Sequence, residues 1–158
     1  MRAFRAAVVS MVLVVGGALP AYGAAASAPV AGAFRAHVDF STVQLKDVPP
    51  SSCLLTVNGV LTFFTGSLLG AAAGTTNALE TAPCSAVLVN PPGTFFDTFR
   101  FRGHFVGTVN GEDVDTSLLY RGVTHVGGHI DAIISLLGSG VGPLRASAKV
   151  AFGGTYTG

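Results

Sequence analysis

The stretch FRFRGHFVGTVNGEDVDTSLLY, residues 99–120, decides the fold. Its period is two. Phe99, Phe101 and Phe105 fall on one face, and Arg100, Arg102 and His104 on the other, the pattern of a half-buried antiparallel strand. Asn110-Gly111 follows, and both residues tolerate the positive φ that a two-residue hairpin turn requires. Such a turn sets a register: Val109 opposite Glu112, Phe105 opposite Thr116, Phe101 opposite Tyr120, Arg100 opposite Arg121. The apolar face then continues through Val114, Leu118 and Tyr120. A slip of one residue would bury two arginines and a histidine, so the register is all-or-none.

The same period extends outward. Residues 32–40 alternate with Phe34, Ala36, Val38 and Phe40 on one face, and residues 54–69 form a longer run rich in Thr, Val and Phe. Beyond Tyr120 the returning strand runs to Val126, where Gly127-Gly128 suggests a second hairpin. Ile130, Ala132, Ile134 and Leu136 share a face. A glycine-rich connection, residues 138–143, precedes Leu144, Ala146, Ala148, Val150 and Phe152, and Gly153-Gly154 leads into a short terminal strand. No segment carries a capped 3.6-residue stripe. Ala71-Ala72-Ala73, bracketed by Gly70 and Gly74, reads as strand edge or loop.

The expectation is an all-β, antiparallel, calycin-like small barrel of about eight strands. Barrel is preferred to sandwich because residues 64–70 and 101–107 share the pattern F-x-G-x-apolar-apolar-G. Alternating large and small inward residues suit the taper of a small barrel.

Ahead of the barrel stands a processing signal. Arg2 and Arg5 precede an uncharged apolar stretch and then a small-residue zone, Ala21 to Ala28, in the order of a secretory signal cleaved after Gly23 or a few residues later. The expected division is residues 1–26 as signal peptide and cleavage zone and 27–158 as one barrel domain. Its removal leaves seven basic residues against eight acidic ones, a net charge of −1. The product would be secreted. An oxidising destination favours a bond between Cys53 and Cys84, stabilising by roughly 3–4 kcal/mol in the chain-entropy model.

Charged residues make up 11% of the chain, too few for a disordered or charge-steered protein, and a formal net charge of +1 offers nucleic acid no footprint. No run after the signal approaches the roughly 18 apolar residues of a spanning helix, so no membrane partner is expected after cleavage.

Residues 99–158 resemble a known group. Phe101-Arg102-Gly103, residues 107–111, residues 138–144 and the finish Gly153-Gly154-Thr155-Tyr156 look like the small bacterial barrels grouped with allene oxide cyclase. The resemblance implies an eight-stranded antiparallel barrel. It implies no activity, because no catalytic carboxylate or pocket motif of the plant cyclase matches a position here.

Candidate chemistry is sparse. His125 and His129 are four apart, but Gly127-Gly128 breaks any helix, and a two-residue turn sets His129 against Val126 rather than His125. No metal, cofactor or catalytic residue is assigned. Glu112, Asp113 and Asp115 crowd a hairpin end without the later ligands of a calcium loop. The Gly138–Gly142 loop lacks the lysine and helix of a phosphate loop, and no Gly-x-Ser-x-Gly occurs.

Two sets of contacts are expected instead. A small apolar or amphipathic ligand would meet Phe99, Phe101, Phe105, Leu118, Tyr120 and Ile134 inside the barrel, bound without catalysis by a monomer or weak homo-oligomer. Alternatively, Arg100, Arg102, His104 and Arg121 would contact an anion on the polar face, where two arginines oppose each other across the hairpin. The other functional classes are a cyclase-like or isomerase-like enzyme, which needs a buried carboxylate or tyrosine in a cavity, and a structural exported protein with a solid core.

Overall fold

The computed structural model describes residues 28–158, so the signal segment, residues 1–26, lies outside the described residues. Among the described residues nine antiparallel strands follow one another: β1 (Ala31–Val38), β2 (Val43–Val48), β3 (Ser52–Gly66), β4 (Leu68–Glu80), β5 (Asp97–Val109), β6 (Glu112–Thr124), β7 (His129–Leu136), β8 (Leu144–Lys149) and β9 (Gly153–Thr157). A single helical turn, α1 (Cys84–Val87), precedes β5. Neighbours in sequence pair from β2 to β9, and β1 joins both β9 and β3, which closes an eight-strand barrel.

The ninth strand has a physical origin. β1 pairs only with the second half of β3, from Val60 to Gly66, whereas β2 takes the first half, from Ser52 to Val57. Between them the register of β3 shifts. There the Gly59 N–H donates to Thr42 Oγ1 (3.0 Å) and the Asp39 N–H to the Gly59 carbonyl (2.7 Å). The turn at residues 39–42 thus lifts the chain away after β1 and resumes it as β2, making the barrel wall taller on this side. Phe40 consequently leaves the alternating face and stands exposed in that turn.

The β5–β6 register is the one set by Asn110-Gly111, including Phe101 opposite Tyr120 and Arg100 opposite Arg121. Asn110 and Gly111 both have positive φ. Phe101, Phe105 and Leu118 are buried, while Arg100, Arg102 and His104 are exposed.

Elsewhere the structure departs from the sequence reading. The run 54–69 is two strands, because Gly66 adopts φ +98° and turns the chain into β4. The two F-x-G copies therefore differ: one lies within β5, the other crosses a turn. Ala71-Ala72-Ala73 is not an edge but the middle of β4, paired on both sides, with Ala72 fully buried. The flanking glycines serve close approach. A Cβ on Gly70 would lie 2.7 Å from Gly107 Cα, and one on Gly74 2.5 Å from Gly103 Cα. β6 ends at Thr124, and a longer turn brings His125 opposite His129, whose rings stack at 6.0 Å. Val126 and Phe152 lie outside strands and are exposed.

One end of the barrel is solid. Leu68, Phe105, Leu144 and Tyr156 are almost wholly inaccessible there. The Tyr156 hydroxyl accepts from the Leu68 N–H (2.8 Å) and donates to the Thr65 carbonyl (2.9 Å), tying β9 to the β3–β4 turn. Aromatic contacts climb from this plug: Tyr156 to Phe64, Phe64 to Phe34, Phe34 to Tyr120, and Tyr120 to Phe99, at 5.0–6.1 Å between ring centroids.

Candidate functional site: a roofed apolar cup at the open end

Above the aromatic column the barrel is hollow. Phe34 and Tyr120 floor a cavity of about 850 Å³, with Val38, Val43, Leu55, Val57, Val60 and Ile130 among its walls. The volume is within the range of small-molecule sites. Its roof is the β4–β5 connection, residues 81–96, of which Val87, Leu88, Pro91, Pro92 and Phe95 face the cup.

Three attachments hold this roof. Cys53 and Cys84 form a disulfide, and the Cys84 N–H donates to Asp47 Oδ1 (3.3 Å). At its far end the Gly127 N–H donates to the Gly93 carbonyl (3.0 Å). The connection thus crosses from the β3 side to the β6–β7 turn. A chain bonded at both ends orders its apolar side chains over the cup.

The polar groups of the cup are few and specific. Glu80 lines it, and Glu80 is the register partner of Asp97 on β5. Both side chains project inward because the alternation of β4 and β5 points Ala78 and Phe101 the same way. Burial raises the Asp97 carboxyl to about 6, against an opposing hydrogen bond from Thr124. Burial, and then the Asp97 charge, raise Glu80 to about 7. Among the described residues, Asp97 Oδ1 and the Tyr120 hydroxyl are buried without hydrogen-bond partners, and burial pushes the Tyr120 phenol up. His37 and Lys149 stand at the rim.

Of the six apolar contacts expected, Tyr120 alone lines the cup. Phe101, Phe105, Leu118 and Ile134 are buried in the packed interior, and Phe99 packs against Tyr120 from beside a separate groove. The anion set also divides. Arg100 and Arg121 line that outer groove, together with Arg145, whereas Arg102 does not, and His104 pairs with Asp115. His125 and His129 both contact Asp131, yet among the described residues no group of three or more His, Cys, Asp or Glu is placed to hold a metal.

Sequence reasoning missed Glu80, Asp97 and the roof. The inward positions Thr76, Ala78 and Glu80 do alternate, but the signal is masked because reading residues 71–73 as a loop removes the strand to which they belong.

Comparison with known proteins finds no matching family, no matching curated protein and no matching solved structure. The likeness to the allene oxide cyclase group is therefore not carried by any relative.

Proposed function

We propose that the protein is a secreted, monomeric or weakly associating carrier that binds a small apolar or amphipathic molecule in the roofed cup. The cavity of about 850 Å³ carries this reading, since aliphatic and aromatic side chains supply most of its wall. An apolar body would rest on Phe34 and Tyr120. A hydrogen-bonding end would meet Glu80 near the mouth or the unpartnered Tyr120 hydroxyl. A second reading, an isomerase or cyclase, is supported by the same carboxyl and phenol, the pair of groups that proton transfer in an apolar cavity would use. A solid structural protein gives no account of the cup.

Native mass spectrometry of material purified from its own secretion medium tests ligand binding, with retained small-molecule mass as the expected result. Titration with an environment-sensitive apolar dye supplies an affinity. Ala36 lines the cup yet is exposed, so Ala36→Trp would obstruct it without displacing the packed core. It is expected to weaken the dye by about ten-fold. Absence of both retained mass and saturable dye binding would refute the proposal.

A further inference from the structure

We infer that the outer face of the barrel carries a second, independent site, for a compact oxyanion bearing at least two negative charges, such as a soluble phosphate ester. Its framework is a cross-strand row. Arg100 on β5 is directly opposite Arg121 on β6, Arg121 is opposite Ile133 on β7, and Ile133 is opposite Arg145 on β8. The row continues into Asn77 on one side and Thr157 on the other, so no carboxylate lies in register with it.

Among the described residues no ion pair holds these arginines. Like charges facing each other across a strand pair repel, yet Arg100 and Arg121 occupy that arrangement, with Arg145 about 10 Å further along the sheet. Every ion pair among the described residues joins a histidine to an aspartate: His104 to Asp115, and His125 and His129 to Asp131. No arginine shares in them. The acidic side chains Glu112, Asp113 and Asp115 cluster instead at the far hairpin end of β5 and β6, beyond the row.

The row borders an open, shallow groove. A groove of about 900 Å³ is lined by all three arginines together with Val123, Ile133 and Asp131. Asp131 is the one carboxylate in the groove, and its two oxygens lie 3.1 Å and 3.2 Å from His125 and His129 Nε2. Both of its oxygens thus contact histidines beside the β6–β7 turn, and among the described residues it forms no ion pair with an arginine.

Guanidinium groups present paired N–H donors that match the oxygens of phosphate or sulfate, and three of them around one groove favour a multivalent anion over a lone carboxylate. Ile133, between Arg121 and Arg145, offers contact for the organic part of an ester. Because the groove is outside the barrel and the cup inside, either site can fail without the other.

Calorimetric titration at low salt with pyrophosphate as probe tests the site, with acetate as the singly charged comparison. Pyrophosphate is expected to saturate at one per chain and acetate to give no saturable signal. Arg121→Gln and Arg145→Gln should each weaken pyrophosphate about ten-fold, whereas Arg35→Gln, on β1 and outside the groove, should leave it unchanged. In the absence of ligand, Arg121→Gln should raise the thermal midpoint by relieving repulsion from Arg100, which also shows that the variant folds. Failure of pyrophosphate to saturate, or equal weakening by Arg35→Gln, would overturn the inference. Co-sedimentation with phosphatidylglycerol vesicles in place of saturation by pyrophosphate would overturn it in favour of a membrane surface.

Discussion

Asp97→Asn is expected to make the protein less sensitive to pH and more stable in mild alkali. Asp97 is 6% exposed, its Oδ1 has no partner, and its carboxyl is raised to about 6. A carboxyl lifted from about 4 to about 6 carries a penalty on its ionised form of up to about 3 kcal/mol. Water reaching the neighbouring Glu80 at the mouth screens that penalty, so roughly half is the better expectation. The sign follows from proton uptake. The unfolded carboxyl ionises near pH 4 and the folded one near 6, so the contribution of this group to stability is fully present below about pH 4 and is lost as pH rises through 6. Glu80, raised to about 7, extends the decline in the same direction. Urea unfolding at about pH 4.5 and about pH 8 should therefore show wild type losing about 1 kcal/mol more than Asp97→Asn over that interval. An unchanged pH dependence in Asp97→Asn would refute the argument, since the carboxyl would then ionise alike in the folded and unfolded chains.

Three further substitutions test the packing. Phe101→Ala should cost about 3–5 kcal/mol in urea melts while Arg102→Ala stays within about half a kcal/mol of wild type; the reverse order would mean that the polar face lines the barrel. Tyr156→Phe removes the acceptor of the buried Leu68 N–H and the donor to the Thr65 carbonyl, so a loss of about 1–3 kcal/mol is expected, together with faster amide exchange at Leu68. Wild-type exchange at Leu68 in that variant would show that the hydroxyl does not hold the closed end.

How much of this was legible in the chain depends on distance along it. Two-residue alternation and the Asn110-Gly111 turn are local properties, and the side chains on each face leave one affordable register. Hence the β5–β6 pairing, the inward Phe101, Phe105 and Leu118, and the outward arginines follow from residues 99–120 alone. The pairing of Cys53 with Cys84 followed from composition and expected compartment, and the structure contains it. Glycines misled where their purpose lies on another strand. Gly70 and Gly74 look like breaks in the chain, but they admit the backbone at Gly107 and Gly103, and only the assembled sheet reveals that close approach.

The division between plug and cup was likewise a tertiary decision. Phe105 and Tyr120 have the same inward parity in sequence, yet one is sealed in the closed end and the other floors the cavity. That difference comes from β1 ending at Val38 while β2 and residues 81–96 carry the wall and roof further. The same holds for charge: the pairing of Arg100 with Arg121 is a hairpin property, whereas Arg145 joins them only through β7. Sequence alone therefore determined the period, the hairpin register and the faces, because these depend on neighbours a few residues apart. Closure of the barrel alone decided where space was left over, because a cavity belongs to no single strand.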